Sequence, residues 1–195
     1  MVIQKTKTKT FFQSADSLTI MSTISQLIEE SGAIKHGKFT LTSGIESNYY
    51  IDKYLFETQP DILGPIALEI SDMLDSNSLD VVAGPELGAV PLVTAVSLTT
   101  GLNAAFIRKN EQDHGTKSRI EGVIQSGQSV VLLEDVTTTG STMLDSVDLI
   151  ENTIGANIKR LIVIVDRNEG AVENFKNHGL DLEYLVQIGT DIKIS

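Results

Sequence analysis

Four short apolar runs, each ending in a polar or glycine-bearing loop, set the narrowest limit on how this chain folds. They are Asp80 to Ala83, Ala104 to Arg108, Val130 to Leu133 and Arg160 to Val165. After the first, Gly84 to Gly88 leads into a helix that runs through Ser97 and stops near Gly101. After the third, Glu134 to Ser141 leads into a helix bearing Met143, Val147 and Ile150. After the fourth, Asp166 to Gly170 precedes a helix near Ala171 to Asn177, while the second opens on a polar stretch from Lys109 to Ser118. Strands alternating with helices of this length make βαβ units, hence an α/β fold with a central parallel sheet flanked by helices. Ligands of such sheets lie beyond the carboxyl ends of the strands, where all four polar loops begin.

Upstream, Ile20, Ile24, Leu27 and Ile28 recur at helical spacing, with Ser17 or Thr19 as cap and Gly32 as stop. Phe39 to Leu41 and Tyr49 to Ile51 read as short strands around Ser43-Gly44, and Pro60 opens a helix through Ile62, Ile66, Ile70 and Leu74 to Asp75. The Lys/Thr alternation near the start has no apolar period, which makes residues 1–16 a mobile tail and leaves 17–195 as a single domain.

Composition removes several functions. Fifteen Lys and Arg stand against 26 Asp and Glu, a formal charge of −11, which opposes nucleic-acid binding. Apolar runs such as Leu161 to Val165 fall far short of the roughly 20 residues that cross a bilayer. No cysteine is present, so thiol nucleophiles, disulfides and zinc–thiolate sites are excluded, and the cytoplasm is the expected setting. An anionic ligand must then be held by local design.

Val130 to Thr142 supplies such a design. Four apolar residues bury a strand, Glu134 and Asp135 stand at its expected exposed end, and Val136, Thr137, Thr138, Thr139, Gly140 and Ser141 turn the chain into a helix N-terminus. Free backbone N–H groups, the helix dipole and the hydroxyls form a phosphate cradle. Adjacent carboxylates can accept hydrogen bonds from ribose hydroxyls or hold Mg²⁺ through water. The segment lacks the Gly-Lys-Ser/Thr ending of a Walker loop.

This acidic pair followed by a Thr-rich loop resembles the phosphoribosyl-diphosphate (PRPP) motif of the type I phosphoribosyltransferase family. The likeness runs from about Ile24 to Val186. Phe39 to Gly44 with Tyr49 to Asp52, Gly84 to Pro91, and Arg108-Lys109 with Asp113 to Lys117 and Ile120 to Gly122 resemble its orotate-using branch in particular. The resemblance implies a sheet with a small N-terminal hood and a flexible lid loop. It implies transfer of phosphoribosyl from Mg²⁺-PRPP to orotate in pyrimidine nucleotide synthesis, by a homodimer whose lid acts in trans. Thr137 to Ser141 would take the 5-phosphate, Glu134 and Asp135 the ribose and Mg²⁺, and Gly84, Pro85, Glu86, Leu87 and Gly88 the diphosphate. Arg108, Lys109 and His114 would belong to the lid, with Asp135, Lys109 and His114 as the catalytic set. Arg167, Thr138, Thr42 and one of Tyr49 and Tyr50 would meet orotate, which a guanidinium grips through its carboxylate. The alternative for Arg167 is a surface ion pair with Glu169.

Many bacterial members carry Lys where Thr42, Gly88 and Gln112 stand here. A non-catalytic PRPP-sensing regulator of the same fold, favoured by Gln112, and a purine phosphoribosyltransferase are the competing readings.

Overall fold

The computed structural model describes residues 23–40, 46–110 and 118–194. Helix α1 (Ile24–Glu30) starts at a capping box: the Thr23 hydroxyl accepts from the Gln26 N–H, and the Gln26 side chain accepts from the Thr23 N–H. Positions 17 and 19, expected to cap this helix, lie outside the described residues. Strands β1 (Ile34–Thr40) and β2 (Glu46–Ile51) form an antiparallel hairpin, Ile34 opposite Ile51 and Thr40 opposite Glu46. The first strand begins five residues ahead of Phe39 because its outward positions are polar and hide the period. A short helix α2 (Tyr54–Glu57) leads to α3 (Pro60–Met73), which Pro60 opens as expected.

The main sheet, among the described residues, has six strands in the order β5-β4-β3-β6-β7-β8. They are β3 (Val81–Pro85), β4 (Asn103–Ile107), β5 (Ile120–Gly122), β6 (Ser129–Thr137), β7 (Asn157–Asp166) and β8 (Leu182–Gln187). All neighbours are parallel except β5, which runs antiparallel to β4. Helices α4 (Ala89–Thr100), α5 (Ser141–Asp148), continued by a π-helical turn over Leu149–Ile154, and α6 (Ala171–Asn177) connect them. Two strands, β5 and β8, were not apparent from the sequence, the first because it is three residues long and the second because it is only partly buried.

Strand alternation splits the core in two. Val131 and Leu133 face a layer with Ile66 and Ile70 of α3 and Leu92 and Val96 of α4, whereas Val130 and Leu132 face Met143 and Val147 of α5 and Phe175 of α6. The chain leaves β3 for β4 in one direction and β6 for β7 and β8 in the other, so the strand order switches between β3 and β6. A crevice opens at such a switch beyond the carboxyl ends.

Gly140 shows how tightly that end is built. Its φ is 80°, and a Cβ there would overlap the Phe175 ring. Replacement by alanine therefore combines left-handed strain with overpacking. Gly140→Ala is expected to lower unfolding free energy by about 2 kcal/mol or more, measurable by urea denaturation.

Candidate active site

Strand β6 runs to Thr137, four residues beyond the apolar run, and this changes the setting of the acidic pair. Glu134 and Asp135 lie inside the strand, 7% and 3% exposed, instead of at an exposed end. Backbone pairing to β7 continues through Val136 and Thr137, which extends the strand past its apolar residues. Adjacent strand residues point to opposite faces, so the two carboxyls leave β6 on different sides. Asp135 shares the face of Leu133, towards α2 and α4.

A cleft of about 600 Å³ opens at the switch between β3 and β6. Of the residues expected at the site, Pro85, Glu86, Gly88, Arg108, Lys109, Glu134, Asp135, Val136 and Ser141 come together along its walls. Lys109 thus borders a cleft formed by its own chain. The peptide between Glu86 and Leu87 is cis, the Glu86 N–H donates to Ile107 O at 2.8 Å, and Glu86 Oε1 accepts from the Lys109 N–H at 3.1 Å. The loop after β3 is thereby tied to the residue that opens the polar stretch. Leu87 is exposed. Gly84 has an internal packing reason to be small: a Cβ there would lie 2.7 Å from both Ala89 Cβ and Leu133 O. Arg108 pairs with Glu121 at 2.7 Å, and Arg119 reaches Arg108 O and Asp145.

Beside the cleft, Thr137 is buried and its carbonyl accepts from the Arg167 N–H at 3.0 Å. Thr138 is half-buried, Thr139 is exposed with its carbonyl accepting from Asn174, and Gly140 precedes α5 without a capping side chain. The first-turn N–H groups of α5 are consequently not consumed by a side-chain cap. Arg167 is 8% exposed. Its Nε donates to the Tyr49 hydroxyl at 3.1 Å, its guanidinium carbon stands 4.6 Å from the Tyr49 ring centroid, and Nη2 lies 2.9 Å from Glu169 Oε1 without hydrogen-bond geometry. The ion pair with Glu169 exists, and it joins a buried guanidinium to an exposed carboxylate. Burial, opposed by Arg167, raises the Tyr49 hydroxyl above its ordinary pKa. Tyr49 and not Tyr50 therefore faces the candidate ligand group. Tyr50 points the other way, 43% exposed, with its ring centroid 5.7 Å from that of Phe39. Thr42 and His114 lie outside the described residues, as does Gln112.

Two residues escaped the sequence reading. Lys53 Nζ donates to Asp135 Oδ2 at 2.5 Å, and Glu57, four residues on, is 1% exposed and faces Asp135. The signal available was a Lys and a Glu at helical spacing around Leu55 and Phe56. Burial, then the nearby Asp135 charge and hydrogen bond, push Glu57 from 4.5 up to about 9. Neither Glu57 oxygen has a donor while both carboxyls are charged, and a proton on Glu57 supplies one. Burial and Asp135 push Glu134 up to about 8, and its Oε2 has no partner among the described residues. For Lys53, burial pulls downward, but the charge and hydrogen bond of Asp135 outweigh it and raise the ammonium.

A phosphoribosyl transferase domain description matches residues 58–178, more than half of the chain, and defines its class as a phosphoribosyltransferase. Over 167 residues the chain is 47% identical to the orotate phosphoribosyltransferase of Pyrococcus abyssi, covering 84% of this chain and 90% of that protein. The chain belongs to the orotate phosphoribosyltransferase family. Its structure is similar to the orotate phosphoribosyltransferase of Aeropyrum pernix, with TM-score 0.74, 27% identity, and 86% and 95% of the two chains covered. It also resembles the Mycobacterium tuberculosis enzyme in complex with PRPP, with TM-score 0.66, 28% identity, and 84% and 95% covered.

The raised carboxyls give a pH signature. An unfolded chain ionises Glu57 near 4.5, whereas the folded chain keeps the proton to about 9, so its favourable contribution is complete below 4.5 and is lost as pH rises towards 9. Glu57→Gln removes this dependence. The melting temperature of the variant is expected to gain on the wild type steadily from pH 6 to 9; parallel curves would show that Glu57 ionises normally.

Proposed function

We propose that the chain transfers the phosphoribosyl group of PRPP to N1 of orotate, releasing diphosphate and forming orotidine 5′-monophosphate with inversion at C1. The observation that supports this reading is the backbone bond from the Arg167 N–H to Thr137 O, which puts Arg167, a residue able to grip a carboxylate, next to the Thr-rich loop. A purine base offers no carboxylate to Arg167, and the named relatives use orotate, so the reading favours orotate over purines.

The C1–O bond to diphosphate breaks as the N1–C1 bond forms, and the transition state spreads positive charge over the sugar. Positioning, charge stabilisation and water exclusion are then the protein's tasks. Thr137 to Ser141 hold the 5-phosphate at the start of α5. The loop from Gly84 to Gly88, with Arg108 and Lys109, receives the diphosphate. Asp135 stabilises the sugar cation, and His114 gives a proton to the departing diphosphate while N1 of orotate loses one. Arg167 grips the orotate carboxylate with Tyr49 as its wall, and Thr138 with Thr42 completes that subsite.

Among the described residues no group of three or more His, Cys, Asp or Glu is arranged to hold a metal. Glu134, once it gives up its proton, would offer its unpartnered oxygen, and Asp135 its carboxylate, to the waters of a Mg²⁺ carried by substrate phosphates. Such an ion supplies charge neutralisation to the leaving group. In a homodimer the lid of one subunit would close the neighbour's site.

Three measurements test the reading. Orotate absorbance should fall with PRPP and Mg²⁺ present, while uracil, hypoxanthine and adenine are left unconsumed; PRPP binding without turnover would instead indicate a sensor. Arg167→Ala should raise the KM for orotate about 10- to 100-fold and leave that for PRPP nearly unchanged, and equal losses would sink the carboxylate grip. Mixing His114→Ala and Asp135→Asn proteins, each strongly impaired but with measurable residual turnover, should raise activity through hybrid dimers, and no gain despite proven subunit exchange would count against a lid in trans.

A further inference from the structure

Three parts of the fold meet at the Lys53 ammonium. Lys53 stands at the start of α2, directly after the hood hairpin, and donates to Asp135 Oδ2 at 2.5 Å. The other oxygen, Oδ1, accepts from the Val136 N–H at 2.5 Å. Gly88, at the head of α4, contributes empty volume: a Cβ there would overlap the Asp135 carboxylate and the Lys53 ammonium. The Asp135 side chain is 4% exposed, so solvent does little to orient it, while the Lys53 side chain is 33% exposed at the cleft wall.

We propose that Lys53 is a positioning residue for Asp135, fixing the orientation in which that carboxylate meets the reacting sugar. An aspartate on a strand keeps two soft side-chain torsions. The Val136 N–H belongs to the next residue of the same strand and restrains only one oxygen. Lys53 supplies the second restraint from a different element, and with both oxygens held the carboxylate has one orientation. Catalytic groups need placement within about 0.5 Å; Lys53 reaches Asp135 from the start of α2, outside β6, while the Val136 N–H holds the other oxygen from within the strand.

The proposal rests on the transferase reading, and wild-type turnover of orotate is measured first to separate the two. Absence of turnover in the wild type counts against that reading and leaves the placement of Asp135 to be decided crystallographically. In the active enzyme, Lys53→Met should lower kcat about 10- to 100-fold with little change in the KM for PRPP, and Lys53→Arg should recover part of the loss. In an Asp135→Asn background, Lys53→Met should add no further loss, because it acts through the group already removed. An equal loss in both backgrounds, or a loss carried by the KM for PRPP, would overturn the proposal. A crystal structure of Lys53→Met should show Asp135 in a new rotamer, and an unmoved Asp135 would overturn it as well.

Discussion

Three carboxyls, Glu57, Glu134 and Asp135, are buried at the edge where a family of this kind receives a polyanion, and their charge has to be removed for such a ligand to enter. The protein does this in two ways. Burial keeps Glu57 and Glu134 protonated at neutral pH, and Lys53 neutralises Asp135 directly. An acidic chain of net charge −11 thus presents a nearly neutral centre, with Arg108, Lys109 and Arg119 bordering it. Local neutrality matters more than the overall sign, because interactions at close range in a low-dielectric cleft exceed those screened beyond about 10 Å by salt.

The sheet explains why these groups converge. Parallel β3 and β6 end side by side at the switch in strand order, and α4 and α5 start from their carboxyl ends. Close packing at Gly84 holds α4 against β6, and close packing at Gly140 holds the start of α5 against Phe175 of α6, so the loops there have little freedom. The hood reaches the same edge through two residues four positions apart: Tyr49 meets Arg167, and Lys53 meets Asp135. One short segment therefore spans the two candidate substrate groups.

Most of this architecture is legible in the sequence where burial and period agree. Val130 to Leu133 and Leu161 to Val165 are apolar throughout and mark central strands. The ends of strands are harder to read, since pairing between backbones carried β6 through Glu134 and Asp135 regardless of their polarity. The Thr-rich loop and Arg167 were recognisable because their chemistry is concentrated in contiguous residues. Lys53 and Glu57 were not, because their meaning comes from a contact 82 residues away in the chain and no local pattern encodes it. Choosing Tyr49 over Tyr50 likewise required knowing which face of the hairpin turns inward.

Gly88 has a consequence for how sequences of this family can vary. The volume above that glycine is filled by the Asp135 carboxylate and the Lys53 ammonium it binds, and a side chain at 88 would claim the same space. Positions 53 and 88 therefore behave as one choice: a cation can be delivered to the acidic centre from the hood or from the head of α4, but both routes cannot be filled together. A lineage that moves its lysine from one position to the other must change both residues, and passes through a state with either a crowded centre or an unpaired aspartate.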